Sequence, residues 1–111
     1  MAAEPVFYHA TQSDLIRKEC ALIINSVLGF QFHYDSAMSS LNTIQAEILT
    51  LIDERSRFAT KLHLEHYAYI KNWLSSFFRM LYKAKNNELS YDFLFYGAAL
   101  TIVNFLDDHH L

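Results

Sequence analysis

An all-α fold, a four-helix bundle-like domain, is predicted for this chain by three features of its sequence. Two glycines and one proline in 111 residues leave few of the residue types that usually end helices and form turns. Apolar side chains recur at three- and four-residue steps through most of the chain, which is the period of an amphipathic helix. Residues 91–106 are apolar on nearly every side, and a helix of that kind needs an enclosed core or a partner.

The length and composition of the chain set the domain count and narrow the function. One helical domain is expected over residues 11–111, preceded by an irregular N-terminal arm at residues 1–10. A net charge of −3 disfavours direct nucleic-acid binding by this domain, since nucleic-acid binders carry a basic face. The hydrophobic fraction of 52% and the aromatic fraction of 15% favour a subunit interface, so we expect protein partners in a hetero- or homo-oligomer.

The N-terminal residues and the single cysteine indicate in which cellular compartment the protein is expected. Residues 1–10 lack the basic and apolar regions of a secretory signal, and the apolar run 91–106 is shorter than the ~20 residues that cross a bilayer. We therefore expect no membrane association. Cys20 lies beside apolar residues and is expected to be a buried thiol, and a lone cysteine favours an intracellular protein, nuclear or cytoplasmic.

The first helix is predicted to begin at Thr11, because Thr11 and Asp14 together form a capping-box pattern. Gly29 is expected to end this helix in the left-handed conformation that glycine tolerates. Aromatic and polar residues then alternate over residues 30–34, which predicts either a short strand or an aromatic extension of the first helix.

The second helix is expected to be capped by Asp35 or Ser36 and to end near a turn at Ala59–Thr60. One face of it carries the apolar stripe formed by Met38, Leu41, Ile44, Ile48, Leu51 and Phe58.

The third helix has the clearest apolar face, and Asn86–Asn87 is expected to stop it. Trp73 and Phe77, four residues apart, are expected to pack inward against the second and fourth helices. The complete predicted stripe is Leu62, His66, Ile70, Trp73, Leu74, Phe77 and Leu81.

The fourth helix is predicted from Ser90, its cap, to about Asp107. Its Gly97-Ala98-Ala99 step leaves room for another helix to approach closely. Because the helix is apolar all round, the isolated chain is not expected to be a stable monomer.

No catalytic, cofactor or metal site is predicted, and the chain is not expected to be an enzyme. His63 and His66 share a helix face, but the sequence has no Glu-x-x-His pair of the kind that builds a di-metal site in a helical bundle. His109–His110 are expected to be a solvated end. The alternative is a small ribonuclease, because Arg57 and His63 have a spacing that resembles the Arg-His motif of HEPN domains, in which these residue types act on the RNA phosphodiester.

One stretch of the chain resembles a known family. Residues 64–83 are similar to the long central helix of GINS subunits of the Sld type, which leads into a segment matched here by Leu74-Ser75-Ser76-Phe77-Phe78-Arg79 and ends in lysines, here Lys83 and Lys85. Residues 11–16 resemble the opening of the first helix of that family, and residues 89–94 resemble the start of the last helix of its α-domain.

The resemblance spans about residues 11–108. It implies a non-catalytic subunit of a four-chain complex that joins the MCM motor to form the replicative DNA helicase. GINS subunits normally carry a second, β-rich domain, for which the present residues hold no counterpart, so the resemblance covers the α-domain alone. Under this interpretation, or as a generic homodimeric helical regulator, the chain is expected to contact partners through Phe78, Arg79, Tyr82, Phe93, Phe95, Tyr96, Leu100 and Val103.

Overall fold

Four α-helices make up the part of the chain that the computed structural model describes, residues 11–84 and 90–111. Of these residues 86% are helical and none is in a strand, which confirms the all-α, bundle-like fold predicted from the sequence. The helices are α1 (Gln12–Leu28), α2 (Tyr34–Arg57), α3 (Lys61–Ala84) and α4 (Tyr91–Asp108). The predicted N-terminal arm and the predicted stop at Asn86–Asn87 lie outside the described residues.

The start of α1 is the capping box that the sequence predicts. The Thr11 hydroxyl accepts a hydrogen bond from the Asp14 amide at 3.1 Å, and the Asp14 carboxylate accepts one from the Thr11 amide at 3.3 Å. Two amides that a helix start leaves without partners are thereby satisfied, which stabilises this end of α1.

α1 ends in a turn as predicted, but a different residue of that turn has the left-handed conformation. Gly29 is the C-cap but has φ −88°, whereas Phe30 adopts the left-handed conformation at φ 56°. The amides of Phe30 and Gln31 donate to the carbonyls of Val27 and Ser26 at 3.1 and 2.7 Å, which is the Schellman arrangement. The expected turn is therefore present, but its left-handed residue is Phe30 rather than Gly29.

The aromatic segment after Gly29 forms neither of the two structures predicted for it. Residues 31–33 are an extended linker, and α2 begins at Tyr34 with His33 as its N-cap, two residues before the predicted Asp35. The rings of Phe32 and Tyr34 contact that of Phe95 at centroid distances of 5.6 and 5.8 Å. Contact with α4 therefore decides the path of this segment, which local alternation could not reveal.

The core lies among α1, α2 and α4, with α3 joined to it from the side of α2. α1 packs against both α2 and α4, and α2 packs against α3. The described chain extends 43 × 41 × 19 Å, a slab about two helix diameters thick. The largest fully buried side chains are Ile16, Ile23, Leu41, Ile44, Ile48, Ile52, Ile70, Leu74, Phe78, Phe95, Ile102 and Leu106.

The predicted apolar stripes of α2 and α3 are only partly buried. Phe58 and Leu62, at the turn between the two helices, are exposed, so their placement in the stripes is wrong. Trp73 is 41% exposed and does not pack inward as predicted, whereas its neighbour Leu74 is fully buried. The side of α3 that enters the core consists of Ile70, Leu74, Phe78 and Leu81. The apolar stripe predicted for α3 is therefore wider than the side of the helix that the core buries.

The C-terminal residues pack against the domain, so the predicted solvated end is only partly correct: His110 is exposed, but His109 is partly buried. His110 is left-handed at φ 55°, and the Leu111 amide donates to the Leu106 carbonyl at 2.8 Å in a second Schellman turn. Leu111 is buried, and its carbonyl accepts a hydrogen bond from the Ser13 hydroxyl at 2.8 Å. Arg55 donates to the His110 carbonyl at 3.2 Å.

No helix in the described part of the chain combines the length and hydropathy that crossing a membrane requires.

Two phenylalanines provide a matched test of this core. Phe78 is 1% exposed and Phe93 is 73% exposed, so the same substitution removes a buried ring in one case and a solvated ring in the other. We expect Phe78→Ala to lower the free energy of unfolding by about 3–5 kcal/mol and Phe93→Ala to change it by less than about 0.5 kcal/mol. Urea denaturation followed by far-UV circular dichroism measures both, and equal losses in the two variants would contradict the packing described.

Candidate functional site

The facing sides of α3 and α4 leave large apolar side chains accessible, among them Tyr69 and Met80. The two helices run antiparallel, since Leu94 near the start of α4 lies beside Phe77 and Ala84, and His109 at the other end lies beside Trp73. α3 and α4 are nevertheless not among the helix pairs that pack closely along their backbones. Long side chains, rather than close backbone packing, therefore connect them.

A stack of three rings crosses the gap between the helices. Trp73 stacks on Phe77 of α3, with ring centroids 5.5 Å apart, and on Phe105 of α4, with centroids 5.3 Å apart. The planes differ by 5° and 12°, so the rings lie nearly parallel. Stacking of this kind contributes about 0.5–1.5 kcal/mol per pair beyond the apolar area buried.

Two hollows flank this stack. The larger, here called the α3–α4 cleft, has a volume of about 370 Å³, with Tyr69 and Trp73 on one wall and Thr101, Asn104 and His109 on the other. The smaller, of about 190 Å³, is formed entirely by apolar surface of Phe77, Met80, Leu81, Ala84 and Leu94. Together they leave apolar surface accessible along most of the length of α3.

Aromatic rings and polar groups line the cleft together. Beside Tyr69 and Trp73, its lining includes the Asp108 carboxylate and the Asn104 amide. Among the described residues, the Tyr69 hydroxyl, the Trp73 indole N–H and the Asn104 amide have no hydrogen-bond partner. Aromatic rings with polar tips at their accessible ends are typical of protein–protein interfaces.

A pair of histidines closes the end of the cleft. His109, the C-cap of α4, has its ring centroid 4.6 Å from that of Phe105 and 5.2 Å from that of His66 on α3. Burial, together with the positive charges that His66 and His110 can carry, lowers the pKa of His109, while Asp108 opposes the shift. His109 is therefore held toward its neutral form at the point where α3 and α4 meet.

Gly97 occupies the middle of the α4 side that faces α3. It lies three residues after Leu94 and four before Thr101, both of which line the hollows, so all three share a helix face. A β carbon at Gly97 would meet no atom within 4 Å. The room predicted at Gly97-Ala98-Ala99 is thus open at Gly97, while Ala98 and Ala99 are buried. Internal packing gives no reason for glycine at this position.

The predicted interface residues fall into two groups. Phe78 and Phe95 are 1% exposed, so their assignment to a partner contact is wrong: the core covers both rings. Tyr82 is half-buried and its hydroxyl donates to Asn42 at 2.7 Å, while burial raises its pKa. The residues that remain at the surface, fully or in part, are Arg79, Phe93, Tyr96, Leu100 and Val103.

The sequence interpretation missed Tyr69 and Met80 and placed Trp73 in the core. All three are exposed, Tyr69 and Trp73 beside the cleft and Met80 beside the smaller hollow. Their spacing contained the signal, because apolar residues that recur at four- and three-residue steps on the outer side of the core stripe indicate a second helix-packing face.

The Arg57–His63 pair lies at the corner between α2 and α3. Arg57 forms a salt bridge with Glu54 at 3.1 Å, and the His63 ring lies 3.1 Å from the Thr60 hydroxyl. Each side chain thus has a local partner on its own side of the corner. Both are exposed, and neither is among the residues that line the hollows.

The remaining reactive side chains do not form a site in the structure. Burial raises the pKa of the Cys20 thiol to about 12, which leaves it protonated and unreactive at neutral pH. Within residues 11–84 and 90–111, no group of three or more His, Cys, Asp or Glu side chains is arranged to hold a metal ion.

The chain has no significant match among protein-family models, curated proteins or solved structures.

Replacing Gly97 should stabilise the chain. Glycine inside a helix costs up to about 1 kcal/mol relative to alanine, and the β carbon of alanine would enter open space. We expect Gly97→Ala to raise the free energy of unfolding by about 0.5–1 kcal/mol in urea denaturation. Ala98→Gly, at a buried position of the same helix, is the control and should destabilise the chain. A destabilised Gly97→Ala variant would mean that something in the folded chain occupies that space.

Mild acid should weaken the fold through His109. Its pKa is lowered in the folded state, so the unfolded chain binds the proton more readily. The stability contributed by neutral His109 is complete above the ordinary histidine pKa of ~6.5 and is lost as the pH falls below it. The urea midpoint should therefore drop between about pH 7.5 and pH 5, and His109→Gln should reduce that drop. His63→Gln is the surface control, and an equal reduction in that variant would contradict the assignment to His109.

Proposed function

We propose that the chain is a non-catalytic subunit that binds other protein through the exposed sides of α3 and α4. The observation that carries the proposal is the incomplete cover of these helices: Tyr69 is 67% exposed beside the α3–α4 cleft, and Met80 is 65% exposed beside the smaller apolar hollow. Large apolar patches on a small domain usually mark interaction sites. Burial of this surface by a partner would supply a favourable free energy that the isolated chain lacks.

The character of the surface also supports a helical partner. The two hollows follow the antiparallel α3–α4 pair, so a helix can lie along them with its apolar face inward. Gly97 would let the backbone of such a helix approach α4 closely.

One specific form of this function is a GINS-like subunit in DNA replication. The sequence resemblance to the α-domain of that family motivates it, and the order of four helices with a long third helix is compatible with it. In this form the partners are the other subunits of a hetero-oligomer. An intracellular location, nuclear or cytoplasmic, belongs to this proposal.

A charge placed in the exposed apolar surface should remove the partner. We expect Met80→Glu to reduce the recovery of co-purifying protein by about ten-fold or more, because a carboxylate would have to be desolvated in the interface. The measurement is affinity purification of the tagged chain from its source cell, followed by quantitative mass spectrometry.

Leu22→Glu is the matched control, since Leu22 is an exposed apolar residue on α1, which does not contribute to either α3–α4 hollow. This variant should retain the partner, and identification of the retained proteins as replication subunits would support the GINS-like form. Equal recovery with both variants would contradict the proposal. Cleavage of RNA by the purified chain, lost in His63→Ala, would instead favour the HEPN-type ribonuclease.

A further inference from the structure

The side of α3 next to its core-facing residues carries a heptad pattern that the domain covers only in part. Four- and three-residue steps alternate along it, as in the contact positions of a coiled coil. We call these positions the outer stripe: Leu62, His66, Tyr69, Trp73, Ser76 and Met80. They extend ~27 Å along the helix. The core-facing residues of α3 lie on the adjacent side of the helix and are covered by the rest of the domain.

The large apolar members of the outer stripe are accessible. Leu62 is 74% exposed and Trp73 is 41% exposed, in addition to the exposed Tyr69 and Met80. At ~200 Å² for a large side chain, these four residues present roughly 500 Å². Two such surfaces would bury about 1,000 Å², just below the ~1,200 Å² at which specific interfaces begin. An area of this size is typical of a weak, reversible contact.

Charges beside the stripe indicate what covers it. Glu65, Asn72 and Arg79 are spaced seven residues apart, so they occupy the same heptad position on one flank. Glu65 and Arg79 are exposed and form no ion pair within the described residues. They have opposite charges and are equally distant from Asn72. A second α3 running in the opposite direction would bring each Glu65 beside an Arg79.

We propose that two copies of this chain associate through an antiparallel, two-fold contact between their α3 helices. When Tyr69 of one copy lies beside Trp73 of the second, Leu62 of the first copy lies beside Met80 of the second. Glu65 of the first copy then lies beside Arg79 of the second. The two Asn72 amides meet near the axis, where each can donate to and accept from the other. The stripe is thus self-complementary, as a two-fold interface requires.

One feature of this pairing is unfavourable. Lys61 of one copy, near the start of its α3, comes close to Lys83 of the other copy, near the end of its α3. Both are exposed at helix ends, where salt screens their repulsion. The same closeness provides a specific marker of the arrangement, because within one chain these residues lie ~33 Å apart along the helix.

This inference rests on the proposed function and specifies its partner as a second copy. A charge-reversal cycle on the full chain, read by sedimentation equilibrium, tests it. Glu65→Arg and Arg79→Glu should each weaken self-association about ten-fold, since each replaces two attractive pairs with two repulsive ones. The double variant Glu65→Arg/Arg79→Glu should restore the affinity to within about two-fold, because the pairs re-form with reversed signs.

Lys18→Glu, an exposed charge on α1, is the control and should leave self-association unchanged. Circular dichroism melting should be the same in all variants. A lysine crosslinker much shorter than the helix span should join Lys61 to Lys83 in the dimer fraction alone.

Either of two results would overturn the inference: a chain that stays monomeric at high micromolar concentration, or a double variant as weak as the single ones. If either result is found while Met80→Glu still removes a co-purifying partner, the proposed function stands and the partner is a different protein. If Met80→Glu removes nothing as well, both fail.

Discussion

The packing of α4 onto α1 is the contact on which the rest of the structure depends. α4 is apolar on almost every side and has to be covered, and α1 covers one side of it. The salt bridge between Arg17 and Asp107 at 2.8 Å and the hydrogen bond from Ser13 to Leu111 fix how the two helices align. Because the buried side of α4 faces the core, α4 does not pack closely along α3.

The position of α3 follows from this packing of α4. α3 is held mainly by α2, through its buried side, the Lys71–Asp53 salt bridge at 2.9 Å and the Tyr82–Asn42 hydrogen bond. Its link to α4 is made by aromatic rings, with Trp73 stacked on Phe77 of α3 and on Phe105 of α4. Rings reach farther than aliphatic side chains, so they join helices whose backbones stay apart. The cleft is the space that remains beside the stack.

The association proposed for the accessible surface is compatible with this arrangement. The cleft is lined by aromatic rings and by polar side chains, Tyr69 and Asn104 among them. The one thiol is buried and its pKa is raised, while Arg57 and His63 have partners at the corner between α2 and α3. The flank of α3 adds opposite charges at Glu65 and Arg79, which form no ion pair with residues 11–84 or 90–111 and can select the direction and alignment of a neighbouring helix.

The sequence alone determined the helical class, the capping box at Thr11 and the turn near Ala59–Thr60, because capping and periodicity act over a few residues. It could not show which side of a broadly apolar helix enters the core. Phe78 and Phe95 were therefore assigned to the surface and Trp73 to the interior, the reverse of their positions. Those positions depend on distances between helices, as do the fastening of Leu111 and the cleft itself. Only the tertiary structure decided them, because burial belongs to the packed assembly of helices and not to any one helix.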